Sequence, residues 1–174
     1  LASIRSLVKM ARIFGIITWS IEIQNLKVEA YRDVRGPGLS KFCEILALAS
    51  NQNEKKAKRD MAILRLLFDL ALRASELTGL DFSDFDQVHK SLAITAKGKS
   101  QKVILSLPEA SVAALADWMN VRGSQEGPLF TNFDRARKGN RITRNGLYEL
   151  IRKFGFDVGI KCRTHGLRHL SISE

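Results

Sequence analysis

The stretch Thr164-His165-Gly166-Leu167-Arg168-His169 places a histidine and an arginine three residues apart, which is one face of a helix. Thr164 is a candidate N-cap for that helix. The face carries a proton carrier beside a planar fork of hydrogen-bond donors, near a helix start where anions are already favoured. Such a surface suits a phosphate. An isolated H-x-x-R also describes an ordinary solvated helix end, since short motifs recur by chance. Two upstream stretches give it company: Ala71-Leu72-Arg73-Ala74-Ser75-Glu76-Leu77, and a Lys97-Gly98-Lys99 turn lying between the two.

Working outward, residues 135–144 read Arg-Ala-Arg-Lys-Gly-Asn-Arg-Ile-Thr-Arg, five basic residues with no acid. The whole chain of 174 residues carries a net charge of +10, and residues 97–174 hold 14 basic against 7 acidic side chains. The positive charge therefore gathers in the half that holds the candidate site, which favours a polyanionic partner. Hydrophobic content of 45% is enough for a core. Two cysteines, Cys43 and Cys162, make no disulfide framework and fit a reducing, intracellular setting. The most apolar early run, Ile13 to Trp19, falls far short of the ~18 residues that a membrane span needs. The first twenty residues are basic and lack acids, as in some transit peptides. The chain opens on Leu1 rather than Met, and is expected to be a piece of a longer protein at both ends.

Apolar residues at helical spacing predict a helix over residues 3–19, interrupted by Gly15. Residues 24–37 read as linker, and Arg35-Gly36-Pro37-Gly38 is a breaker that sets a domain boundary after residue 37. Leu39, Phe42, Ile45, Leu46 and Ala49 mark the first helix of the main domain, closed by Asn51-Gln52-Asn53. A longer helix runs from Glu54 to Leu72, apolar on most sides after a charged start, and so buried. Ser75 is read as the cap of the next short turn, with Glu76 inside it. Ser91–Thr95 and Lys102–Leu107 read as two strands around the turn Ala96–Gln101. Pro108 opens a helix reaching Met119, with Val112, Leu115, Ala116 and Met119 on its inner face. A further helix from Thr143 to Phe154 precedes the His165 helix. The expected fold is α+β, mostly helical, with a small antiparallel sheet.

Taken in order, the three pieces resemble the catalytic domain of the tyrosine recombinase (phage integrase) family. The family pattern has an arginine in a G-L-R-x-S-E-L segment, a lysine in a β-hairpin turn, and an H-x-L-R-H segment. Ala71 stands here where glycine is usual, while His165 to His169 matches in full. The resemblance covers Gly38 to Glu174, and implies that residues 1–37 are the remnant of an N-terminal DNA-gripping domain plus linker. Residues 38–174 would then be the recombinase catalytic domain, expected to stop before the family's last His or Trp and its nucleophilic tyrosine. Neither Tyr31, in the linker, nor Tyr148 matches that tyrosine.

The resemblance implies site-specific DNA breakage and rejoining through a 3′-phosphotyrosyl intermediate, in integration or excision of a phage or other mobile element. Arg73 and Arg168 would hold the phosphate, a task for which arginine's planar, permanently charged fork is suited. Lys97 would protonate the departing 5′-hydroxyl, with Lys99 and Lys102 as alternatives. His165 would assist proton transfer. Glu76 would orient Arg73, and His169 would stand behind the site as a structural partner. Lys99, Lys102, Arg135, Arg137, Lys138, Arg141 and Arg144 are the candidate DNA contacts. No cofactor is expected, because the bond energy is kept in the phosphotyrosine. Cys162, His165 and His169 have a zinc-like spacing but no fourth ligand nearby, so no metal is expected either. The expected partner is double-stranded DNA. The expected assembly is a homotetramer on DNA, with a monomer free in solution, in a prokaryotic or phage-infected cytoplasm and away from membranes. The alternative from another class is a catalytically inactive DNA-binding module that regulates recombination; a type IB topoisomerase is a third reading.

Overall fold

A computed structural model describes residues 2–20, 36–96 and 101–173. The chain divides into two compact units, Leu1–Asp33 and Val34–Glu174. In the first, helix α1 spans Ala2–Ile13. It stops six residues before Trp19, where helical spacing had pointed, because Gly15 takes a left-handed φ of 69°. The Gly15 N–H donates to the Arg12 carbonyl at 3.1 Å and the Ile16 N–H to that of Ala11 at 3.0 Å. This is the paired bond pattern that closes a helix rather than continuing it, and glycine enters it without a Cβ penalty.

The second unit is built around α3. Helices α2 (Leu39–Ser50) and α3 (Glu54–Asp69) pack against each other, and α3 also packs against α5 (Glu109–Arg122) and α7 (Thr164–Ser173). Neighbours on so many sides explain why Ile63, Leu64, Leu66 and Leu67 are all fully buried. The charged start of α3 is partly interior as well. Arg59 and Asp60 are both buried, with Arg59 Nε donating to Asp60 Oδ1 at 2.8 Å and Nη1 to the Thr131 carbonyl at 2.8 Å. The guanidinium also lies 4.4 Å from the centre of the Phe133 ring, and Gln52 donates to Asp60 Oδ2 at 3.0 Å. A buried charge pair persists when its remaining hydrogen-bond sites are filled, as these are.

The sheet is antiparallel in the order β1 (Phe85–Asp86), β2 (Ser91–Thr95), β3 (Lys102–Ser106). Pairing runs from Ser91 with Ser106 to Thr95 with Lys102. Leu92 and Ile94 of β2 point into the core, while Ile104 of β3 is exposed. Helix α5 runs three residues beyond Met119. Val112 and Leu115 are buried as predicted and Ala116 and Met119 are half-buried, but the buried face is wider: Ser111, Ala114 and Trp118 are interior too, with Trp118 Nε1 donating to the Leu129 carbonyl at 2.9 Å. Helix α6 spans Arg144–Asp157, with Thr143 as N-cap accepting from the Gly146 N–H at 3.1 Å. No helix among the described residues is long and apolar enough to cross a membrane.

Candidate active site

Helix α3 ends at Asp69, three residues before the predicted Leu72, because Ala71 takes a left-handed φ of 48°. Leu72 returns to the core, and Arg73 becomes the N-cap of the short helix α4 (Ala74–Thr78). The predicted cap, Ser75, lies inside that helix. The capping acceptor is Glu76, whose Oε2 takes the Arg73 N–H at 2.8 Å while Oε1 takes Arg73 Nη1, also at 2.8 Å. The Glu76 side chain is 4% exposed and that of Arg73 is 50% exposed. One buried carboxylate therefore fixes both ends of Arg73 and leaves the rest of its fork facing solvent.

Helix α7 brings the second arginine to the same turn. Arg168 Nη1 donates to the Ala71 carbonyl at 2.6 Å, joining residues 97 positions apart. His165, exposed and one helical turn before Arg168, stands on the same helix. Its Nε2 lies 3.0 Å from Nε2 of His169, with the rings edge to face at 4.5 Å. In a hydrogen bond of this kind one ring nitrogen donates and the other accepts, as the tautomers allow. The predicted N-cap Thr164 is instead the first helical residue. The Arg163 carbonyl accepts from Gly166 and Leu167 at 2.9 and 3.2 Å and so occupies the capping place.

The lysines divide differently. Lys97, Lys99 and the side chain of Arg135 lie outside the described residues. Lys102 pairs with the buried carboxylate of Asp84. Arg141 donates to the Thr78 and Leu80 carbonyls at 3.1 and 2.8 Å and pairs with Asp81. Its hydrogen bonds therefore tie the basic segment to the α4 loop. Arg137, Lys138 and Arg144 are exposed. Arg137 shares a groove of about 580 Å³ with Lys56 and Lys153, floored by Arg59 and Phe133. Lys56 and Lys153 were absent from the expected contacts because nothing in local sequence links α3 and α6 to residue 137. Tyr148 and Arg152 follow Arg144 at four-residue intervals on the exposed side of α6.

Cys162, the first residue of the zinc-like spacing, is buried against Gly155, and burial pushes its thiol up to about 11. No group of three His, Cys, Asp or Glu able to hold a metal ion occurs among the described residues.

Comparison with known proteins follows the same lines. The phage integrase family matches residues 41–173. The tyrosine recombinase slr0733 of Synechocystis sp. is 36% identical over 178 residues, covering 99% of this chain and 56% of that protein. The tyrosine recombinase Synpcc7942_B2651 of Synechococcus elongatus is 37% identical over 179 residues, again covering 99% and 56%. The chain thus spans about half the length of the curated relatives it matches. Among solved structures, XerA recombinase has a TM-score of 0.66 at 22% identity, covering 97% of this chain and 57% of that one. That likeness speaks for the fold. The match over residues 41–173 and the identity to the cyanobacterial recombinase together establish that this chain belongs to the phage integrase family.

Proposed function

We propose that this chain is the phosphate-handling part of a tyrosine-type site-specific DNA recombinase. The observation that carries this reading is the bond from Arg168 to the Ala71 carbonyl, which sets the H-x-x-R face against the turn that bears Arg73. One arginine fork on α7 and one on the turn just before α4 suit the non-bridging oxygens of one phosphodiester. In the proposed step a tyrosine hydroxyl attacks phosphorus, the bond to O5′ breaks, and the 3′ side stays on the enzyme as a phosphotyrosine. Lys97 gives its proton to the leaving 5′ oxygen, and His165 carries proton traffic at the phosphate. Neither Tyr31 nor Tyr148 is assigned as the nucleophile. Rejoining is the same step reversed on a partner strand, so the reading calls on no metal or cofactor.

In this reading double-stranded DNA lies over the exposed residues Arg137, Lys138 and Arg144, with Lys56 and Lys153 as added phosphate contacts. Lys99, Lys102 and Arg135 extend the same set. Residues 1–37 are read as the remnant of an N-terminal DNA-gripping domain, and residues 38–174 as the catalytic domain. Assembly as a tetramer on DNA and work in a bacterial cytoplasm complete the proposal. The reading is supported by the family and by the Tn1549 transposon integrase, solved in complex with circular intermediate DNA, which shares the fold at a TM-score of 0.71 and 16% identity.

The test is strand cleavage of a duplex carrying the native recombination site, using the protein from its native source. Arg73→Ala and Arg168→Ala are each expected to slow cleavage by about 10² or more, the scale set by loss of one transition-state donor, with DNA still bound. Cleavage that survives Arg168→Ala would sink this assignment. Binding without any cleavage by the unsubstituted protein would make it a regulatory DNA-binding module instead.

A further inference from the structure

We infer that the Ala71 carbonyl is a positioning group for Arg168, and that one peptide thereby couples the two arginines of the proposed phosphate site. The inference rests on the reading of that site given above. Ala71 and Lys90 are the non-glycine residues with positive φ among the described residues. Left-handed backbone is costly for a residue with a Cβ and persists where the surroundings over-determine it, most often at functional sites. Here the surroundings can be named. On one side Leu66 and Leu67 anchor the end of α3 in the core; on the other Leu72 is 2% exposed. Arg73 is held at once by Glu76 through both its N–H and its Nη1. The Ala71 carbonyl is clamped from both directions, and it accepts Arg168 Nη1 at 2.6 Å.

That contact does for Arg168 what Glu76 does for Arg73. A long side chain arriving from α7 has many rotamers, and ordering it at the moment of binding would weaken the site. A guanidinium carries five N–H donors in one plane. A bond at Nη1 sets the orientation of that plane and leaves the other donors of the fork for an anion. Because Ala71 precedes Arg73 by two residues, a displacement of the α3–α4 turn moves both arginines together. The residue acts through Arg168 and touches no substrate.

The test uses the whole 174-residue chain and inorganic phosphate as probe. Without phosphate, Arg168→Ala should move the Ala71 carbonyl carbon resonance by removing the bond to its oxygen; an unmoved resonance overturns the inference. This measurement leaves Ala71 unaltered, so it decides the matter even if Ala71→Val fails to fold. With phosphate, Ala71→Val, which forbids the left-handed backbone, should weaken binding by about tenfold, the loss of one charge-assisted hydrogen bond. Ala71→Gly, which keeps that backbone, should bind as the unsubstituted chain does. Ala71→Val combined with Arg168→Ala should bind no more weakly than Arg168→Ala alone, because the two act through one contact. Additive losses would overturn the inference by showing that Ala71 acts through some other route. If phosphate perturbs neither Arg73 nor Arg168 in the unsubstituted chain, the phosphate reading of the site falls, while the carbonyl measurement still decides the positioning contact.

Discussion

At the scale of single residues, the site-bearing turn is strained by one missing choice of amino acid. Ala71 stands at φ 48°, where the family pattern has glycine. Left-handed backbone costs an alanine roughly 1–2 kcal/mol, while glycine loses about 0.5–1 kcal/mol more chain entropy on folding. Ala71→Gly is therefore expected to stabilise the chain by about 0.5–1 kcal/mol, read as a higher urea midpoint. The two cysteines should behave oppositely. Cys43 is exposed and Cys162 is buried, with its thiol raised from 9.0 to about 11 by burial. A thiol reagent at pH 8 should label Cys43 quickly and Cys162 only on unfolding. The sign for stability follows from the same shift. The folded state keeps Cys162 protonated, so this contribution is intact below pH 9.0 and is lost as pH rises towards about 11. A Cys162→Ala chain should show a shallower alkaline loss of stability. The arginine and histidine types were legible in the sequence because their chemistry is carried by residue identity. That Ser75 would yield the capping place to Arg73 and Glu76 was not, since either residue type can begin a helix and the left-handed turn at Ala71 decided the register.

At the scale of elements, the fit between α6 and the chain leading into α7 is what holds the H-x-x-R face in place. Gly155 lies in the last turns of α6, and a Cβ there would meet Cys162 Cβ at 2.5 Å and its backbone nitrogen at 2.8 Å. Helix propensity alone favours Gly155→Ala by up to ~1 kcal/mol. Overpacking against backbone costs typically ~1–3 kcal/mol and should win. The expected outcome is a net loss of stability, measured by chemical denaturation; a gain would mean that the α6–α7 connection yields. Helix and strand periods gave the existence of α2, α3, β2, β3, α5, α6 and α7. They missed the end of α1 and of α3 because each stops at a left-handed residue rather than at a change in apolar spacing. They read the start of α3 only as charged; that Arg59 and Asp60 within it are interior came from the packing. The partners that make this tolerable, Gln52, Thr131 and Phe133, come mostly from distant sequence.

At the scale of the whole molecule, the positive charge sets a salt-dependent affinity for DNA in the proposed function. The logarithm of the binding constant should fall linearly with the logarithm of salt concentration, and each phosphate contact removed should lower the slope by about 0.9. Arg137→Ala and Lys138→Ala are expected to do so in fluorescence anisotropy titrations at several salt concentrations. Arg141→Ala is expected to lower stability and leave the slope nearly unchanged, because its donors serve Thr78, Leu80 and Asp81. A slope change of the Arg137 size at Arg141 would return it to the set of DNA contacts. By itself the sequence determined the helical content, the hairpin, the sign of the charge and the identity of the arginine and histidine side chains. Each of these depends on residue type and on spacing within one turn or one strand. Only the tertiary structure decided which basic residues face outward and which are bound inward, and that Arg168 would close on the carbonyl of Ala71. Those outcomes depend on contacts between residues up to 97 positions apart, which the packing of α7 against α3 brings within hydrogen-bond reach.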